Sequence, residues 1–101
     1  MIESTVIMSC YKSNKSLLKK SILSILNQSY KKFEFLIVQD GPDSDLELVL
    51  KSFLKKDKRI RILKNKKNMG LPFSLNKAIK ISKGKFIIAI LTVLCYINNN
   101  I

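Results

Sequence analysis

The chain has 101 residues and a mass of 11.6 kDa, room for one small domain and no second. Nineteen lysines and arginines against seven acids give a net charge of +12, and the absence of histidine excludes a histidine relay or a histidine-ligated metal site within this chain. Two cysteines, Cys10 and Cys95, make no disulfide framework and fit a reducing compartment.

Val6, Ile7 and Met8 form a short apolar run after a polar start. The run predicts a buried strand ending near Cys10 and Tyr11. Glu3 and the shortness of the run argue against a signal peptide. Lys12 to Lys15 reads as a polar loop. Ser16 is the expected cap of a helix whose apolar face is Leu18, Ile22, Ile25, Leu26 and Ser29. A second strand, Phe33 to Val38, carries the continuous apolar run Phe35-Leu36-Ile37-Val38, the pattern of a parallel strand covered on both faces.

Gln39-Asp40-Gly41-Pro42 ends that strand at a sharp turn. Ser44 and Glu47 have the spacing of a capping box ahead of a second helix with Leu46, Val49, Leu50, Phe53 and Leu54 inward. Arg59 to Leu63 alternates as a third, less buried or edge strand. A basic loop, Lys64 to Gly70, leads to a third helix with Pro72 at its first position. Its apolar face is Leu71, Leu75, Ala78 and Ile79, and Gly84 is its expected stop. Phe86 to Leu91 reads as a fourth strand. The longest uncharged stretch, Phe86 to Ile101, has an apolar part of 12 residues, against about 20 for a membrane span.

The order β-α-β-α-β-α-β predicts a three-layer α/β domain with a mostly parallel sheet. Ligand sites in such sheets lie beyond the C-terminal ends of the strands. That rule singles out Ser9-Cys10-Tyr11, Asp40-Gly41 and whatever follows the fourth strand. Asp40 suits a base N–H or a ribose hydroxyl, or else caps its own turn. Tyr11 suits stacking on a base, or else covers the sheet end. Asn68-Met69-Gly70 precedes a helix N-terminus, with Lys64, Lys66 and Lys67 just before it, and suits a diphosphate, or else is a flexible lysine-rich loop. Glycine-rich phosphate loops are absent, which argues against a dinucleotide fold or a P-loop. The charge of +12 reads as a solvated surface or as a face for nucleic acid, nucleotide or an acidic membrane. Only Arg59 and Arg61 are arginines, and lysine is the weaker fork for phosphate.

Together, Ser9-Cys10-Tyr11, Ser24-Ile25-Leu26-Asn27-Gln28-Ser29-Tyr30, Val38-Gln39-Asp40-Gly41 and Asn68-Met69-Gly70 resemble the family 2 glycosyltransferases over residues 4–90. The resemblance implies the N-terminal, nucleotide-binding half of a GT-A (Rossmann-like) fold. It implies a UDP- or dTDP-linked sugar donor, a saccharide acceptor in surface polysaccharide synthesis, and inverting chemistry. It places Ser9, Tyr11, Asp40 and Gly41 around the nucleotide, with Lys67, Asn68 and Gly70 toward its diphosphate. Gln39 stands where the family usually has the first aspartate of a pair. The family's Asp-x-Asp motif, which holds Mg²⁺ or Mn²⁺, is expected near positions 91–94, where this chain reads Leu91-Thr92-Val93-Leu94. No metal ligand and no catalytic residue is therefore assigned.

The expectation is a partial domain over 1–101 with an atypical tail at 91–101, from a truncated or frameshifted gene and inactive by itself. A short nucleotide-binding module and a small basic nucleic-acid-binding protein stand as alternatives. The expected location is cytoplasmic, with peripheral contact to an anionic inner membrane face and no transmembrane segment.

Overall fold

The computed structural model describes residues 2–90. It contains β1 (Ser4–Cys10), α1 (Lys15–Leu26), β2 (Phe33–Asp40), α2 (Ser44–Lys56), β3 (Ile60–Asn65), α3 (Leu71–Ile81) and β4 (Phe86–Ile90). The strands form one parallel sheet in the order β3-β2-β1-β4. This is the expected three-layer α/β fold, with the topology of the N-terminal part of a GT-A-like domain.

Alternation along the strands sorts the core into two layers. Val6, Met8, Phe35 and Ile37 point to the face covered by Leu18, Ile22 and Leu26 of α1 and Leu46, Leu50 and Phe53 of α2. Ile7, Leu36 and Val38 point the other way, onto Ala78 of α3 with Leu75 and Ile81 beside it. The two central strands are buried along their whole length, which is why β2 has no polar alternation in sequence.

Several local expectations are corrected. The cap of α1 is Asn14, not Ser16: its side chain accepts from the Leu17 N–H at 3.0 Å. Asp43 caps α2 in place of Ser44, accepting from the Leu46 N–H at 3.1 Å. Leu54 and Ile79 face solvent, since each lies off the arc that meets the sheet, and Ser29 lies exposed beyond α1. Gly84 does not end α3, whose C-cap is Ser82. Gly84 instead lies against β1, where a Cβ would stand 2.4 Å from the Ser4 carbonyl carbon. The expected extension of the fourth strand to Leu91 lies outside the described residues.

β4 pairs only with β1 among the described residues. Its side chains Phe86 and Ile88 are 65% and 48% exposed. An apolar edge of this kind is a surface that other chain segments cover in larger sheets.

Glu34 is buried on the α3 side of the sheet. The Glu34 carboxylate accepts from the Thr5 hydroxyl at 2.7 Å, from Arg61 at 3.1 Å and from the Lys83 backbone N–H. Burial disfavours its charge, but the Lys83, Thr5 and Arg61 donors outweigh burial and hold its pKa below the ordinary glutamate value. A depressed folded-state pKa contributes stability that is present above the unfolded value of about 4.3 and is lost as pH falls through the folded value. Unfolding midpoints measured from neutral to acid pH should therefore drop below about pH 4.3. Glu34→Gln should be less stable at neutral pH and lose less on acidification.

Candidate functional site

The C-terminal ends of β1, β2 and β3 meet at one edge. Cys10 pairs with Gln39, and Asp40 pairs with Asn65. The loop 66–70 then crosses this edge into α3.

Asp40 is the centre of the arrangement. It is 1% exposed. Its Oδ1 accepts from Asn65 Nδ2 at 2.9 Å and the Met69 N–H at 2.7 Å. Its Oδ2 accepts from Asn68 Nδ2 at 3.1 Å and the Gly70 N–H at 3.0 Å. A carboxylate offers about four lone-pair sites, and all are taken. Asp40 thus fastens the loop after β3 and does not cap the Gly41-Pro42 turn. The anion at the N-terminus of α3 is the protein's own Asp40, the charge that a helix start favours.

Gly41 makes the close approach feasible. Its φ is +108°, and a Cβ there would stand 3.1 Å from the Asn68 nitrogen. Gln39, where the resemblance expects an aspartate, donates from Nε2 to the Gly41 carbonyl at 3.1 Å and braces the same turn.

Tyr11, Lys12, Asp40, Gly41, Pro42 and Asp43 line a small cleft of about 40 Å³ at this edge. Lys12 lies over the Tyr11 ring at 5.4 Å. Of the residues singled out by sequence, Cys10, Tyr11, Asp40 and Gly41 share this cleft, while Asn68 and Gly70 join it through Asp40. Ser9 is fully buried one step earlier in β1 and does not line the cleft. Lys67 lines a different cavity, shared with Phe73 and Lys77.

Sequence reading missed three residues of the assembly. Asn65 is buried and donates to both Asp40 and Ser74 Oγ, the latter at 2.9 Å. Ser74 is a fully buried polar residue on the inner face of α3. Its place among apolar positions was the available signal, as was Asn65 at the end of an alternating strand. Lys12 was marked only by its place next to Tyr11.

The described residues do not suit a divalent ion. No group of three or more acidic or cysteine side chains comes together among them. Asp40 is saturated, and Asp43 caps α2 and pairs with Lys15 at 3.6 Å. Positions 91–94, where the resemblance expects Asp-x-Asp, lie outside the described residues.

A parallel α/β sheet whose strand ends, aspartate-glycine turn and asparagine-glycine loop converge on one edge matches a known family. The family model described as glycosyl transferase family 2 matches residues 5–92. This chain belongs to glycosyl transferase family 2. It is similar to an uncharacterized glycosyltransferase of Methanocaldococcus jannaschii, 44% identical over 84 residues, covering 82% of this chain and 29% of that protein. It is 38% identical over 78 residues to an uncharacterized glycosyltransferase of Haemophilus influenzae, covering 76% of this chain and 24% of the relative. It is 28% identical over 83 residues to the glycosyltransferase GlyG of Streptococcus pneumoniae, covering 82% and 27%. The family 2 chain thus spans less than a third of the length of each of these relatives. No helix among its described residues is long and apolar enough to cross a membrane.

Proposed function

We propose that this chain is the donor-binding end of a family 2 glycosyltransferase and holds the nucleotide of a UDP- or dTDP-linked sugar across the C-terminal edge of the sheet. The observation that carries the reading is the convergence of Tyr11, Asp40, Gly41 and the 66–70 loop on that edge. Tyr11 offers a stacking face for the base. Asp40 acts first by holding the loop. Its Asn68 contact involves an exposed side chain, so it is the contact that a base N–H or ribose hydroxyl exchanges for. Lys12 is the cation of this cleft placed to face the diphosphate. Ser9 supports the pocket from within β1.

Transfer of the sugar to a saccharide acceptor requires a base for the acceptor hydroxyl. The two carboxylates at the edge, Asp40 and Asp43, are both committed to structure. The described residues are therefore proposed to bind donor without turning it over. Mg²⁺ or Mn²⁺ has no role in this binding.

Titration calorimetry of the chain with UDP and with dTDP, with and without Mn²⁺, tests the reading. Binding is expected to be independent of Mn²⁺ and to weaken about tenfold or more in Tyr11→Ala. Absence of heat with either nucleotide, from a chain whose circular dichroism shows it folded, would overturn it.

A further inference from the structure

We propose that the α3 side of the molecule docks on an anionic lipid bilayer. The chain's charge is divided unevenly along its length. All seven acids lie at or before Asp57, whereas ten lysines and arginines and no acid lie from Lys58 onward. In three dimensions this later segment supplies edge strand β3, the loop 66–70, β4 and α3, the helix that covers its face of the sheet.

Three of the ten cations are matched by carboxylates: Arg59 by Asp57, Arg61 by Glu34 and Lys64 by Glu47. Both arginines are thus held in ion pairs. Lys66, Lys67, Lys80 and Lys83 project as exposed lysines from the loop and from α3 and its exit. Phe73, Asn76 and Lys80 follow the i, i+3, i+7 spacing of one outward stripe of the helix. Phe73 is 45% exposed and the neighbouring Met69 is 39% exposed. Together with the buried Asn65 and with Lys64, Lys66, Lys67 and Lys77 they line a cavity of about 540 Å³.

Two exposed apolar side chains set among lysines match the chemistry of a bilayer surface, with acyl chains beneath anionic head groups. The lysines supply attraction, and Phe73 and Met69 supply insertion. A single-stranded nucleic acid is favoured instead by arginine and by successive aromatic platforms. Here the arginines are in ion pairs, and Phe73 is the cavity's one aromatic. This surface is separate from the donor cleft, which shares no lining residue with it.

Flotation of the full chain with two kinds of vesicle tests the proposal: phosphatidylcholine alone, and phosphatidylcholine with about one third phosphatidylglycerol. Binding is expected only to the anionic vesicles and should fall with added salt. Lys66→Glu with Lys80→Glu should weaken it about thirtyfold or more, from roughly fivefold per lysine lost. Phe73→Ser should weaken it about tenfold while leaving the salt dependence intact. Lys19→Glu with Lys20→Glu makes the same charge change on α1 and should leave binding within about twofold. All five positions are exposed, and circular dichroism checks that each variant is folded. The proposal is overturned by an equal loss in the α1 pair, which would reveal bulk charge alone. It is also overturned by equal binding to neutral vesicles, by no binding to anionic ones, or by Phe73-independent capture of a single-stranded oligonucleotide that displaces the vesicles.

Discussion

Replacing Asp40 with alanine should destabilise the chain by about 4 kcal/mol, because one buried charge satisfies four donors at once. Asn65 would be left buried with an amide hydrogen lacking its acceptor, and the Met69 and Gly70 N–H groups would lose theirs. Small domains hold only about 5–15 kcal/mol in total, so a loss of this size is roughly a quarter to four-fifths of the whole. Amide hydrogen exchange separates this account from a general loss of packing. Under native conditions the Met69 and Gly70 amides should lose protection before those of the central strand β2 do. Asp40→Asn should fall between wild type and alanine, since its amide keeps one acceptor and turns a donor toward donors. Unchanged protection of Met69 and Gly70 in Asp40→Ala would show that the loop is held by something else.

Gly84→Ala should cost about 3 kcal/mol or more, large for the addition of one methyl group. The added Cβ would stand 2.4 Å from the Ser4 carbonyl carbon, 2.5 Å from the Thr5 nitrogen and 2.7 Å from Thr5 Oγ1. Two of those atoms are backbone of a central strand, so no rotamer change relieves the contact. The Gly84 N–H also donates to Thr5 Oγ1 at 2.9 Å, and Thr5 donates in turn to Glu34. Pushing the connection away from β1 therefore strains the Glu34 network as well. Ser82→Ala lies on the same connection and removes only a local, exposed bond to the Ile79 carbonyl. It should stay within about 0.5 kcal/mol in urea unfolding. If the two variants unfold alike, the close approach at Gly84 has been misjudged.

The fold was legible because each strand and helix carried its own period. The continuous apolar run of β2 announced a central strand, and the alternation at Ile60 and Ile62 announced an edge. Residues near a turn were harder to place. Asn14, Ser16, Asp43 and Ser44 are all competent caps, and only the backbone path decides which accepts the first N–H. Gly84 has the composition of a helix stop, yet its reason is tertiary and lies about eighty positions away in β1.

The candidate site was half legible for the same reason. Asp40 at a strand exit is a local signal. Its four partners come from 25 to 30 positions further along the chain, and no local pattern pairs them. The rule that helix starts attract anions was sound. The anion that fills the start of α3 belongs to the protein.

The central claim is that the nucleotide lies on the C-terminal edge of the sheet, over Tyr11 and the turn and loop joined by Asp40. The most direct measurement is the amide spectrum of isotope-labelled chain titrated with UDP. The amides of Tyr11, Lys12, Gly41 and Asn68 to Gly70 should shift together with one dissociation constant, while those of α1 and of the β4 edge stay in place. Shifts confined to the lysines of α3 and the Phe73 cavity, with Tyr11 and Gly41 unmoved, would contradict it.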